Sequence, residues 1–110
     1  MVHLSDAKFV IDFDKLQWLD GALSYGKQDI FPGGMERNRE YFGKWVTFSD
    51  NLEEFERDLL FDPQTSGGLL MSAAPSVADS LLNDLLHHNE KAYILGYVEE
   101  GNGELIVDRI

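Results

Sequence analysis

The stretch LLFDPQTSGGLL, residues 59–70, places a polar segment containing proline and glycine between two apolar runs. It fits a turn, because Pro63 fixes its own φ angle and the Gly67–Gly68 pair tolerates backbone angles that other residues avoid. It also fits an anion-binding loop, because the hydroxyls of Thr65 and Ser66 can donate hydrogen bonds and glycines let backbone N–H groups approach a phosphate. The chemistry of the stretch leaves both interpretations open.

The composition of the chain limits its possible partners. Its 110 residues suit one small domain or part of a larger one, and a hydrophobic fraction of 44% is sufficient for a packed core. Nine Lys and Arg residues stand against 20 Asp and Glu residues, which gives a formal net charge of -11. A surface of this sign repels phosphates, so the composition argues against direct binding of nucleic acid or of an anionic membrane.

The sequence contains no cysteine, which excludes disulfide bonds, zinc–thiolate sites and a cysteine nucleophile within these residues. The first residues do not form an export signal, and no apolar run approaches the roughly 20 residues that a membrane-spanning helix needs. These features predict a cytoplasmic location.

The spacing of hydrophobic residues predicts helices packed on a β-sheet, in an α+β or α/β fold. In chain order, the predicted elements are a strand over Phe9–Phe13, helices over Lys15–Tyr25 and Asn51–Leu60, a strand over Leu69–Ala74, a helix from Pro75 to about His88, and strands over Ala92–Val98 and Glu104–Asp108. The last two strands are separated by the turn residues Glu100–Gly103, so they are predicted to form a hairpin.

Local signals refine these predictions. Asp14 is the expected cap of the first helix and Gly26 its end, while Ser49 or Asp50 is the expected cap of the second. The charged residues of the second helix, including Glu56 and Asp58, are expected to face water. Residues 27–48 are predicted to be irregular, with a short extended piece over 45–48, and the strand over 69–74 is predicted to be buried on both faces.

Several residues that bind metals elsewhere have simpler interpretations here. His87 and His88 are adjacent, so on a helix their side chains point about 100° apart, and they fit a helix C-terminus better than a shared ion. Asp12 and Asp14 can together hold Mg²⁺ if a third ligand is present, but a helix cap also explains Asp14. No set of nucleophile, base and orienting residue can be assembled.

A second stretch with potential function is PGGMERNR, residues 32–39, in which a glycine pair leads into two arginines. Arg37 and Arg39 flank Asn38 and suit an anion clamp beside a flexible backbone. The same residues also fit a loop whose arginines pair with nearby acids.

The two stretches, in this order and spacing, resemble motifs of the selenide, water dikinases, also called selenophosphate synthetases. The resemblance runs from about Phe9 to the C-terminus and is anchored by PGG at 32–34 with Arg37-Asn38, by LFDPQTSGGLL at 60–70 and by ILGYV at 94–98. The family belongs to the superfamily typified by aminoimidazole ribonucleotide synthetase. The resemblance implies that residues 1–110 are a single domain, the later part of that superfamily's C-terminal domain. The fold expected from it is α+β, a mixed β-sheet with helices packed on one face.

The resemblance also implies a parent enzyme that makes selenophosphate, AMP and orthophosphate from selenide, ATP and water with Mg²⁺. Family members are longer, and their reactive Cys or selenocysteine, the neighbouring lysine and the metal-binding aspartates lie in an N-terminal domain without counterpart here. The chain alone is therefore expected to have no catalytic residues, no metal ligands and no tightly bound cofactor. The residues expected near nucleotide phosphates are Arg37, Asn38, Thr65, Ser66, Gly67 and Gly68, although the same residues can instead shape the fold.

The expected partners are the missing N-terminal ATP-binding domain and a second copy of the chain, because part of an α+β domain exposes a sheet edge or an apolar face. Two alternatives remain from the sequence. The chain can be a stand-alone interaction module, or a small-anion or nucleotide-binding domain without enzymatic activity.

Overall fold

A four-stranded mixed sheet forms the centre of the computed structural model, which describes residues 1–110. The strands are β1 (Ala7–Asp12), β2 (Val46–Phe48), β3 (Gly96–Glu100) and β4 (Glu104–Asp108), and the helices are α1 (Ala22–Lys27), α2 (Gly34–Phe42), α3 (Glu54–Leu59) and α4 (Pro75–His87). The spatial order is β2-β4-β1-β3; β4 runs parallel to β1 and β2, and β3 runs antiparallel to β1. The predicted α+β class with a mixed sheet is confirmed. None of the helices combines the length and apolar character that spanning a membrane requires.

The predicted hairpin of the last two strands is wrong, because β1 lies between β3 and β4. Their connection crosses the start of β1, where the N–H of Gly103 donates to the Ala7 carbonyl at 3.0 Å. Gly103 has a φ of +81°, and a Cβ at Gly101 would lie 2.5 Å from the Cβ of Lys8. The two glycines thus allow the connection to pass close over β1. In the sequence, glycines in such a connection look the same as those of a hairpin turn.

The core lies against one face of the sheet. Val107 of β4 is opposite Ile11 of β1 and Phe48 of β2, and its side chain is 1% exposed. Phe13 and Leu52 complete the buried cluster. The alternation of strand side chains places these residues on a common face, and burial of each large apolar side chain stabilises the fold by about 1.5–3 kcal/mol.

The first predicted helix, over Lys15–Tyr25, is wrong in its bounds. Phe13–Lys15 form a 3-10 turn, and the helix α1 starts only after Gly21, whose φ of +87° is left-handed. Gly26 does not end α1 but lies buried within it, where a Cβ would be 3.2 Å from side-chain atoms of Phe55 and Leu59. This glycine allows α1 to approach α3 closely, which the helix-stop interpretation missed.

The region predicted to be irregular, residues 27–48, contains α2 and β2. Pro32 and Gly33, which are often found in irregular segments, directly precede α2. Proline and glycine are also compatible with the start of a helix, since the first N–H groups have no partner within the helix. The short extended piece predicted over 45–48 corresponds to β2, Val46–Phe48.

The helix α3 is shorter than predicted, and neither Ser49 nor Asp50 caps it. Glu53 precedes the helix, and its N–H donates to the carboxylate of Glu56 at 2.9 Å. The prediction that Glu56 and Asp58 face water is also wrong, because both are buried. A buried carboxylate requires a partner, and each of these two carboxylates is paired with an arginine.

Arg109 is the partner of Glu56 and connects three parts of the chain. Its guanidinium lies 2.6 Å from the Glu56 carboxylate and 3.0 Å from that of Asp14, and it donates to the Asn51 carbonyl at 2.8 Å. The guanidinium carbon also lies 5.0 Å from the centre of the Phe13 ring. These contacts hold the turn after β1 and the start of α3 against the end of β4.

The ion pair also sets the ionisation of Glu56. Burial alone would raise the pKa of this carboxyl, but hydrogen bonds from Arg109 and from the Glu53 N–H outweigh burial and lower the pKa below its ordinary value. The hydrogen bond to Glu56 likewise raises the pKa of Arg109, although burial opposes this change. Ionised Glu56 is therefore more favourable in the folded state than in the unfolded chain.

The strand predicted over Leu69–Ala74 is absent, and its residues are exposed rather than buried on both faces. The only backbone hydrogen bonds of this segment are those that Ala74 accepts at the start of α4. The helix α4 confirms the predicted helix from Pro75, but none of its residues is buried. This part of the chain therefore has the predicted apolar pattern without the predicted packing.

Replacing Gly96 with alanine is expected to lower the free energy of unfolding by about 1–3 kcal/mol, because a Cβ there would collide with the Val10 carbonyl of β1. Gly33→Ala is the matched control, because a Cβ at Gly33 meets nothing within 4 Å. Urea unfolding of both variants measures the difference. Equal stability of the two variants would contradict the observed pairing of β1 and β3.

Glu56→Gln is expected to destabilise the protein at pH 7, because the ion pair with Arg109 is lost. The pKa of Glu56 is lowered in the folded state, so its contribution is fully present above the ordinary value of 4.5 and is lost as the pH falls through the folded-state value. The difference in unfolding free energy between wild type and variant should therefore shrink as the pH falls below 4.5. Urea unfolding across a pH series, with the exposed Glu90→Gln as control, measures it; a difference independent of pH would contradict the assignment.

Candidate functional site

The two stretches singled out in the sequence meet in the structure. Residues 33–38 open α2, and residues 62–68 follow α3. Gly34 packs on the ring of Pro63, so closely that a Cβ at Gly34 would lie 2.8 Å from the Pro63 Cγ. The Asn38 side chain donates to the Phe61 carbonyl at 2.9 Å. The start of α2 therefore holds the beginning of the second stretch in place.

Phe61 anchors this contact to the core. Its side chain is buried, and its ring meets that of Phe48 in β2 edge to face, with centroids 5.8 Å apart. Buried aromatic pairs of this geometry contribute about 0.5–1.5 kcal/mol beyond the area that they bury. The contact with the sheet thus fixes the position of Phe61, the residue that precedes loop 62–68.

Beyond Pro63 the loop presents hydrogen-bond donors to solvent. Thr65, Ser66, Gly67 and Gly68 are all exposed, and the two hydroxyls make no hydrogen bond within the chain. A Cβ at Gly68 would meet nothing within 4 Å. Free hydroxyls and accessible N–H groups are a donor set that fits phosphate oxygens.

The two arginines of the first stretch differ in their surroundings. Arg39 lies 2.8 Å from the buried carboxylate of Asp58 and 3.8 Å from Glu36, and hydrogen bonding to Asp58 raises the pKa of Arg39. Arg37 is exposed and forms no ion pair or side-chain hydrogen bond. The predicted two-arginine clamp is thus reduced to Arg37, because Arg39 neutralises an acid of the fold. The buried Asp58 was the partner that the sequence did not reveal.

A groove of about 330 Å³ lies next to this site and is lined in part by Arg39, Arg57, Asp58 and Phe61. Its arginines are engaged, because Arg39 pairs with Asp58 and Arg57 donates to the carbonyls of Ser49 and Leu52 at 3.1 and 3.0 Å. Glu54, which also lines the groove, has no ion pair. The groove therefore offers no free cation, and Arg37 remains the arginine without a partner.

The histidine pair has a structural role. The Nδ1 atoms of His87 and His88 each lie 2.7 Å from a carbonyl oxygen one turn earlier, those of Asn83 and Asp84. These bonds satisfy carbonyls at the end of α4, as expected for histidines at a helix C-terminus.

The aspartate pair is also engaged within the fold. Asp12 accepts the Asp14 N–H and pairs with Lys15 at 3.3 Å, while Asp14 pairs with Arg109. Burial alone would raise the pKa of Asp12, but hydrogen bonds from Lys15 and from the N–H groups of Ile110 and Asp14 lower it. The expectation that Asp14 caps the first helix is wrong, because Gly21 precedes α1 and Asp12 caps only the 3-10 turn Phe13–Lys15.

The structure groups no three His, Cys, Asp or Glu residues that could hold a metal ion. The Mg²⁺ that the resemblance implies for a parent enzyme thus does not fit a ligand set within this chain, and no step through that ion can be assigned to these residues.

No protein-family model matches the chain. The chain is similar to many proteins named selenide, water dikinase. It is 35% identical to that of Clostridioides difficile (strain 630) over 89% of this chain and 28% of the relative, and 42% identical to that of Pelobacter propionicus over 78% and 25%. Over 91% of this chain and 29% of the relative, it is 36% identical to that of Caldanaerobacter subterraneus subsp. tengcongensis. The chain thus spans about a quarter of the length of the relatives it matches.

Asn38→Ala is expected to lower the free energy of unfolding by about 1 kcal/mol, because the Phe61 carbonyl loses its hydrogen bond. The variant should also speed hydrogen exchange and proteolysis in residues 62–68. Arg37→Ala, one residue away, is the matched control and should change stability by less than about 0.5 kcal/mol. If both variants behave alike, Asn38 does not position the loop.

Proposed function

We propose, from the premise that this chain corresponds to a C-terminal portion of selenide, water dikinase, that it forms one wall of an ATP-binding cleft completed by an N-terminal domain. The reaction of the complete enzyme would convert selenide, ATP and water into selenophosphate, AMP and orthophosphate. The observation that supports this role most directly is the contact between the two motifs. The Gly34–Pro63 and Asn38–Phe61 contacts hold α2, which carries Arg37, against the start of the exposed hydroxyl loop.

In this proposal each residue has a specific task at the phosphates. Arg37 supplies the positive charge that an otherwise acidic chain needs to hold a phosphate, and it is free of competing carboxylates. Thr65 and Ser66 donate from their hydroxyls, and Gly67–Gly68 allow backbone N–H groups to approach. Asn38 acts as a positioning residue, because it holds the loop through a carbonyl and is already engaged.

The chemical steps are assigned to the other domain. The sequence has no cysteine, and the structure contains no group of acids and histidines fit for Mg²⁺. The N-terminal domain would supply the metal ligands and the reactive residue, and Mg²⁺ would offset charge on the triphosphate when bound. We propose accordingly that residues 1–110 form a partial C-terminal domain, that the chain acts in the cytoplasm, and that it forms a homodimer.

A second candidate function is binding of a small anion or nucleotide without catalysis. The unpaired Arg37 and the exposed loop 64–68 favour it, because neither needs another domain to meet a phosphate in solution. A stand-alone interaction module is a further alternative, favoured by the exposed apolar residues of α4.

The chain mixed with the N-terminal portion of the Clostridioides difficile relative should consume ATP in a selenide-dependent reaction, whereas the chain alone should not. Arg37→Ala should weaken ATP binding by the mixture about tenfold, the effect expected for loss of one charged hydrogen bond. Calorimetry with ATP and Mg²⁺ measures the affinity, and a coupled assay measures turnover.

Lys91→Ala is the control, because it removes one exposed positive charge far along the chain from both motifs. Selenide-dependent turnover by the chain alone would refute the division of labour between two domains. Binding of ATP or orthophosphate by the chain alone, with no turnover in the mixture, would favour the small-anion candidate. Equal affinity in the Arg37 and Lys91 variants would refute the role of Arg37.

A further inference from the structure

The segment from Leu69 to His87, which we call the arm, is not packed into the fold. Its first part, Leu69–Ala74, is extended, and the side chains of Leu69, Leu70 and Met71 are 91%, 50% and 53% exposed. The N–H and C=O groups of 69–73 have no partners in the chain. Its second part is α4, whose apolar Val77, Leu81 and Leu86 are also exposed.

The size of the molecule shows how much surface is left uncovered. The accessible surface is 8098 Å², whereas a compact monomer of 12.5 kDa exposes roughly 6,200 Å². The radius of gyration, 14.8 Å, likewise exceeds the roughly 13 Å expected for this length. The excess of about 1,900 Å² is larger than the roughly 800 Å² that each partner buries in a standard protein interface.

The sheet offers an edge that matches the arm. The strand β3 pairs with β1 alone, so its outer edge is unpaired. Tyr97 and Val98 on β3 are 53% and 43% exposed. The strand runs over Gly96–Glu100, a length close to that of the extended part of the arm. A free strand edge favours the addition of a further strand, and the unpaired apolar segment of the arm can supply that strand.

The distribution of charge favours a second copy of the chain as the partner. Two molecules of net charge -11 repel each other over most of their surfaces. Residues 63–78 contain no charged side chain and are the longest uncharged stretch of the sequence; residues 92–98, which lead into β3 and include Tyr97, are the next longest. The donor is therefore uncharged, and so are Gly96–Val98 of the acceptor strand, which ends in Glu99 and Glu100.

We propose that two copies of this chain exchange arms, so that Leu69–Ala74 of each adds to the free edge of β3 in the other and α4 covers exposed apolar surface. Gly67 and Gly68 allow the arm to reorient, since a Cβ at Gly68 would meet no atom within 4 Å. A symmetric pair satisfies both arms and both edges at once, as in other strand-exchanged dimers. The inference gives the homodimer proposed above its surface. Because Gly67 and Gly68 also belong to the proposed ATP site, its tests change only residues outside 62–68.

The first test is the mass of the full chain in solution, measured by light scattering and sedimentation at about 0.5 M salt, where charge repulsion is screened. The expected result is twice the mass of one chain. Leu69→Asp/Leu70→Asp should raise the dimer dissociation constant about tenfold or more, because charge enters an apolar interface. Leu4→Asp/Leu19→Asp is the matched control, at positions 82% and 85% exposed outside the arm, and should remain dimeric.

The second test locates the contact and uses the absence of native cysteine. Met71→Cys/Tyr97→Cys is treated with a short bismaleimide and analysed under denaturing conditions. A cross-linked dimer supports the exchange. A cross-linked monomer would show that the arm closes on its own β3, and absence of cross-linking would show that it does not reach this edge; either result overturns the inference.

If the chain is monomeric in the first test, the inference and the homodimer proposal both fail. If the chain is dimeric but Leu69→Asp/Leu70→Asp leaves the dimer dissociation constant unchanged, the inference fails and the homodimer proposal stands. Neither outcome bears on turnover in the two-domain mixture, so the proposed ATP site is judged separately.

Discussion

The guanidinium of Arg109 holds together the parts of the chain that form the core. It reaches the turn after β1 through Asp14, the segment before α3 through the Asn51 carbonyl, and α3 itself through Glu56. A buried carboxylate without this partner would carry a large desolvation cost. The position of α3 relative to the sheet therefore depends on one side chain that follows β4 directly.

The candidate site depends indirectly on the same contacts, because α3 leads into it. The helix α3 ends beside Phe61, whose ring packs on Phe48 of the sheet. The Phe61 carbonyl accepts a hydrogen bond from the Asn38 side chain. Asp58 of α3 engages Arg39, so that Arg37 is the arginine of α2 that remains open to a ligand. Fixed elements thus present a loop whose outer half is exposed, an arrangement common to binding loops.

The sequence predicted β4 and α4 well, because their signals are local. Both lie where periodicity placed them, whereas the contact between residues 33–38 and 62–68 was not predicted. What could not be predicted depends on distant partners. The insertion of β1 between β3 and β4, the burial of Glu56, and the close approach of α1 to α3 at Gly26 all require knowledge of which segments meet in space.

The order of the strands has a consequence for how the protein is made. The strand β1 lies between β3 and β4, and both follow it in the sequence only after α4. The sheet has high contact order, so its pairing involves large loop-closure entropy and folding is slow. During synthesis the apolar residues of 69–74 and the apolar side chains of 77–86 emerge before β3 and β4, so the nascent chain exposes them until the sheet can close.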